Sequence, residues 1–225
     1  MTLWDWERVV KSMTGEKEPG TARGYAALQE VRAYWEGLRQ GASLPQRKDV
    51  DPRGMANALE HVFLLERIGH GIGRFRLAGM HLTQLMGMEV LGMPLTALVE
   101  PQARGAMESL LEDAFRAPAI VEIALEAERG IGRPALEGRI ILLPVLGDDG
   151  NCDRVLGCLV TVGNVGRSPR RFAIVRQRTS SVAPASEPDP KSATPVSGFA
   201  DGATPYVPPP AQRARGHLRL VKSDE

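Results

Sequence analysis

Between His61 and Val162 the hydrophobic period changes twice, from two to 3.6 and back, and this order limits the possible folds more than any other feature of the chain. His61-Val-Phe-Leu-Leu-Glu-Arg-Ile68 is a short apolar run, which predicts a strand. Gly69-His70-Gly71 makes a turn. Gly73-Arg-Phe-Arg-Leu-Ala-Gly79 then alternates, so Phe75 and Leu77 are expected on one face, with Arg74 and Arg76 on the other. Residues 80–99 are broken by Gly87, Gly92 and Pro94 into short helical pieces. Glu100-Pro101 opens a longer helix whose stripe is Ala103, Met107, Leu110, Leu111, Ala114 and Phe115, and Pro118 stops it. Three strands follow, at residues 121–126, 139–146 and 154–162, the last two joined through Gly147-Asp148-Asp149-Gly150. Strands do not alternate with crossover helices, so a parallel sheet is excluded. The expected class is α+β, a five-stranded antiparallel sheet with short helices on one face.

Two helices are expected before this pattern. Leu3, Trp6, Val9, Val10 and Met13 recur at helical spacing up to Gly15. Thr21 then caps a helix reaching about Arg39, with the stripe Leu28, Val31, Trp35 and Leu38. Residues 44–52 read as a charged surface connection between two prolines, and Asp51-Pro52 as the start of a brief helical turn ending at Leu59. The chain divides into N-terminal helices (1–43), a central domain (44–165) and a tail (166–225).

Charge separates the tail from the rest. Residues 1–165 carry 18 Lys+Arg against 22 Asp+Glu, whereas residues 166–225 carry 10 against 5. Eight of the 17 prolines lie between Ser180 and Arg215, a stretch without clustered aliphatic residues. Such a stretch cannot offset an ordering entropy of roughly 1–2 kcal/mol per residue, so a disordered tail is expected. No apolar run approaches the ~18–20 residues of a spanning helix. Two cysteines exclude a disulfide framework, and Asp5 and Glu7 stand where a signal peptide would be basic, so a cytoplasmic location is expected.

The order of elements, with the residues at its junctions, resembles a PAS domain over residues 44–165. Leu82-Thr-Gln-Leu-Met-Gly87 looks like the family's short helix ending in glycine. Glu89-Val-Leu-Gly92 followed by Met93-Pro-Leu-Thr-Ala-Leu98 looks like its bend before the connecting helix, and Glu100-Pro-Gln-Ala-Arg104 looks like the start of that helix. Leu44-Pro45 through Asp51-Pro52, Arg74-Phe-Arg-Leu-Ala-Gly79 and Leu142-Leu-Pro144 are similar to a bacterial subgroup whose members often stand alone. One departure is Ala78-Gly79 at the end of the second strand, where many members carry asparagine.

Catalytic constellations are absent from the sequence. His61, His70, His81 and His217 have no metal-ligand spacing, Cys152 and Cys158 form no Cys-x-x-Cys, and there is no Gly-x-Ser-x-Gly or Walker lysine. Gly71-Ile-Gly73 is followed by a strand, whereas a phosphate site needs a helix N-terminus there. The expectation is therefore no enzyme, no metal and no cofactor, with a small ligand of unknown identity left open. Candidate pocket residues are Phe75, Leu77, Leu82, Leu85, Val121, Ile123, Leu142 and Val160, expected between sheet and helices. Leu28, Val31 and Trp35 are the candidate face for a second copy or a protein partner. Arg167, Arg170, Arg171, Arg176, Arg178, Arg213, Arg215 and Arg219 form a basic tail suited to nucleic acid, anionic lipid or an acidic partner.

The resemblance implies a non-catalytic signalling regulator acting through protein contacts, in a bacterial two-component or cell-cycle route, with homodimers common. A small-molecule sensor and a nucleic-acid-associated regulator are the alternatives.

Overall fold

The computed structural model describes residues 24–39 and 44–182. The expected helix at residues 3–13, the proline-rich stretch beyond residue 182, and Arg213, Arg215 and Arg219 lie outside them. Helix α1 (Ala26–Leu38) comes first, followed by a 3-10 segment (Pro52–His61). Strands β1 (Val62–Gly69) and β2 (Ile72–Ala78) form a hairpin, and helices α2 (Met80–Met86) and α3 (Arg104–Arg116) follow with a 3-10 turn (Leu95–Leu98) between them. Strands β3 (Ala119–Ala127), β4 (Leu136–Val145), β5 (Arg154–Gly163) and β6 (Phe172–Ser181) complete the order. The sheet is antiparallel throughout, with the strand sequence β2-β1-β5-β4-β3-β6.

Six strands replace the expected five. The extra one, β6, comes from the segment assigned to the basic tail, and it pairs with β3 from Ala127↔Phe172 to Ala119↔Ser181. The expected tail boundary at residue 166 is thus corrected: residues 166–182 belong with the sheet. Segment 165–171 is itself tied down. Ser168 Oγ donates to Gln84 O (2.7 Å) and Arg170 N to Leu85 O (2.8 Å), two carbonyls at the C-terminal end of α2 that have no partner within the helix. Arg167 N reaches Gly132 O (2.7 Å).

Both faces of the sheet are covered, not one. The inner face packs Phe63, Leu65, Phe75, Val121, Ile123, Ile140, Leu142, Val155 and Leu159 against α2, α3 and the turn between them. Gly157 sits beneath Phe63, whose Cε2 would lie 2.1 Å from an added Cβ, so only glycine admits that ring. Phe63 then meets Phe75 edge-on, with centroids 5.4 Å apart. The outer face packs Ile120, Ile141, Leu143, Leu156, Cys158 and Val160 against α1 and the 3-10 segment.

Helix α1 is amphipathic because its stripe has a sheet to meet. Leu28, Val31 and Trp35 are buried by this domain's own outer face, with Val31 and Trp35 at 0% exposure. The expectation that this stripe is a face for a second copy is therefore corrected. Trp35 Nε1 donates to Pro144 O (2.9 Å). Pro144 is tolerated in a central strand because β3 pairs with β4 only as far as Leu142, leaving a local edge there.

Candidate functional site

Six of the eight candidate pocket residues share the inner core. Phe75, Leu82, Leu85, Val121, Ile123 and Leu142 are each 0–1% exposed and pack in one cluster. Leu77 and Val160 are not among them. Val160 lies on the outer face, because β5 turns Val155 and Leu159 inward and Leu156, Cys158 and Val160 outward. Leu77 is 53% exposed. A β-bulge is the cause: Leu64 pairs with Leu77 and Leu65 with Phe75, so Arg76 is an extra residue and parity changes after Phe75.

That change builds a site on the outside of the sheet. Leu77, Leu64, Val62 and Leu156 meet Met55 and Leu59 of the 3-10 segment across an open, largely apolar groove of about 230 Å³. Leu59 is 41% exposed. Gly79 N closes the strand end by donating to Val62 O (2.8 Å).

Arginines border the groove. Glu66 of β1 accepts from Arg74 (3.1 Å) and Arg76 of β2 and pairs with Arg154 of β5 (3.0 Å); Arg154 also reaches Asp153 (2.7 Å). Burial tends to raise the Glu66 carboxyl, but the hydrogen bonds from Arg74 and Arg76 prevail and hold it below its ordinary value. Arg47 lines the groove itself. On the hairpin's turn side, Glu112 of α3 accepts from Gly71 N (2.8 Å) and from Arg67 (2.6 Å). The Gly71 N–H is the leading cause of a lowered Glu112 carboxyl.

Other titratable groups are spoken for by the fold. Burial pushes the Cys158 thiol up to about 12 and the Cys152 thiol up to about 11, so both are neutral at pH 7. Glu122 is buried under α1 and paired with Arg32; burial raises its carboxyl and Arg32 opposes that. Among the described residues no group of three or more His, Cys, Asp or Glu is arranged to hold a metal ion.

The basic segment divides. Arg170 is fully buried and is lost to any external ligand, which corrects its place among the tail arginines. Its Nη atoms donate to the carbonyls of Val165, Glu128 (3.0 Å) and Pro134 (2.8 Å). Arg171 lies beside β6, while Arg176 and Arg178 stand opposite Ala124 and Glu122 on its partner strand.

His81 of α2 is the one buried histidine among the described residues. Its Nε2 lies 3.0 Å from Thr161 Oγ1, and its ring meets the His61 ring edge-on at 4.7 Å. Burial chiefly, and then His61, lowers its pKa from 6.5. The unfolded chain therefore takes up that proton more readily, so stability is complete above about pH 6.5 and falls as pH drops towards the folded value. Urea unfolding at pH 7.5 and pH 5.5 checks this: wild type should lose more stability than His81→Gln on acidification. Equal losses would remove His81 as the cause.

The architecture is a six-stranded antiparallel sheet with helices packed on its inner face and an apolar groove on its outer face. A family model for the PAS domain matches residues 24–160, more than half of the chain, and the chain belongs to that family. PAS domains are signalling and sensor modules, generally regulatory and not catalytic. The match begins before α1, so the expected domain start at residue 44 falls inside it. No curated protein matches the chain. No described helix is long and apolar enough to cross a membrane.

Proposed function

We propose that this PAS protein is a non-catalytic regulator that acts through protein–protein contact and not through a ligand held inside the domain. The observation that carries this reading is the division of apolar surface between the two faces. The inner residues are consumed in packing: Phe75, Leu82, Leu85, Val121, Ile123 and Leu142 bury their side chains against one another and against α3. Accessible apolar surface lies outside, and Leu59 and Leu77 gather part of it in the groove between β2 and the 3-10 segment. Exposed apolar surface bounded by charge is the pattern of a recognition face. A bacterial signalling route is the setting that the sequence resemblance supports.

Native mass spectrometry of the full-length protein purified from its own cells tests the choice between partner and ligand. The expected spectrum shows the bare chain mass, with in-cell crosslinks running to another protein. A small molecule carried at near-full occupancy would overturn the reading in favour of a sensor.

A further inference from the structure

The outer groove has chemical features that specify its occupant more closely than a general contact surface would. Its floor is aliphatic and thioether: Met55, Leu64 and Leu156 are 5% exposed or less, while Leu59 and Leu77 rise at its sides with 41% and 53% exposure. One border is positive. Arg74, Arg76 and Arg154 converge on the single carboxylate of Glu66, and among the described residues only Arg154 has a second acid, Asp153. Arg76, directly before Leu77, keeps 48% of its side chain in solvent. Buried Arg74 Nε has no hydrogen-bond partner among the described residues. The cluster thus holds more guanidinium than carboxylate, and its donors outnumber the oxygens that receive them.

The Arg76 bulge joins the two features. It places Arg76 and Leu77 on the same face in succession, an arrangement that an unbroken strand cannot produce. A ligand seated on Leu77 therefore has a guanidinium beside its flank. Resting on the reading of the domain as a protein-binding regulator, we propose that the groove receives an amphipathic helix of a partner protein. Its apolar face lies on Leu59, Leu64 and Leu77, and carboxylates along one flank pair with Arg76 and its neighbours. The groove is short and open, which suits a helical ridge of i, i+3/i+4, i+7 side chains. Another copy's matching face would bring arginine against arginine, so charge complementarity selects an acidic partner.

A displayed library of helical peptides with fixed apolar spacing and randomised flanks, selected on the full-length protein, tests the inference. Enriched peptides should carry Asp or Glu along one flank. They should lose at least tenfold in affinity, by fluorescence polarisation, towards Leu77→Asp and towards Arg76→Glu, with circular dichroism confirming that both variants fold. Exchanging the peptide's acids for lysine should cost a comparable factor with wild type, and raising salt should weaken binding. Selected peptides without acids, or binding unchanged by both substitutions, would overturn the proposal while leaving the regulatory reading intact. Two further results would replace the occupant. A dimer dissolved by Leu77→Asp would put a second copy in the groove, and tighter peptide binding by full-length Trp6→Asp would put the chain's own N-terminal segment there. A library that yields no binder would overturn the proposal outright. The native mass spectrum with a bound small molecule is the separate result that would overturn the regulatory reading.

Discussion

Arg170→Met is expected to lower the stability of the domain by about 3–5 kcal/mol, the range seen when one member of a buried charged hydrogen-bond network is removed. Methionine retains most of the apolar stem, so the comparison isolates the guanidinium. In the native protein that group satisfies the carbonyls of Val165, Glu128 and Pro134 at once. These belong to two separate stretches, the connection between β3 and β4 and the connection between β5 and β6. Without the fork, three part-buried carbonyls lose a charged donor, each a cost of up to about 1–3 kcal/mol. Part of that is offset because the arginine's own burial, which lowers its pKa, no longer has to be sustained. Arg170→Lys should fall between wild type and methionine, since an ammonium lacks the planar spread that reaches carbonyls in two different connections. Urea denaturation monitored at unchanged slope reads these differences. A methionine variant within about 0.5 kcal/mol of wild type, the range of an ordinary surface change, would show that the guanidinium does not staple the two connections.

The same residue shows where sequence pattern stops being informative. Arg170 sits in an arginine-rich stretch, Arg167 to Arg178, and reads as one of several solvated cations. Its burial depends on carbonyls more than thirty residues away, which no local periodicity reports. Strand β6 was hidden for a related reason. An edge strand buries one side only, and β6 turns Phe172 and Ile174 to the core before a bulge at Val175 resets the parity and exposes that side chain. The bulge at Arg76 has the same effect at the opposite edge and moves Leu77 from the expected inner face to the outer groove. Val160 departs from its expected face for a different reason. Strands β4 and β5 are covered on both faces, so their apolar runs are continuous and carry no alternation from which a face can be read. The legible parts were those with a strong period and a hard stop: the β1–β2 hairpin, α2 ending at Gly87 with φ +69°, and α3 with Met107, Leu110, Leu111, Ala114 and Phe115 buried. The groove was legible only in its parts, since its floor and its border meet through two edge-strand features that sequence does not announce.

Trp35→Ala is expected to cost about 3–5 kcal/mol, as for other fully buried large aromatics, and to release α1 before the rest of the domain. The helix meets the outer face through Leu28, Val31 and Trp35, with Arg32 paired to Glu122 at its flank. Trp35 combines two of these contributions, because its indole is 0% exposed and its Nε1–H satisfies Pro144 O on a strand segment that β3 no longer pairs. Trp35→Phe separates them. It keeps most of the apolar contact and loses the hydrogen bond, so a smaller cost of about 1–3 kcal/mol is expected. The inner core shares no side chain with this interface, and α3 continues to hold β3 and β4 from the other side. Amide hydrogen exchange should therefore show Ala26–Leu38 losing protection in Trp35→Ala while Val121–Leu125 and Ile140–Leu142 keep theirs, a local opening and not a global one. If helix and sheet lose protection together, α1 is part of one cooperative unit and the two faces of the sheet do not unfold independently. If α1 stays protected, Val31, Leu28 and the Arg32–Glu122 pair suffice to hold it, and the tryptophan is not its principal anchor.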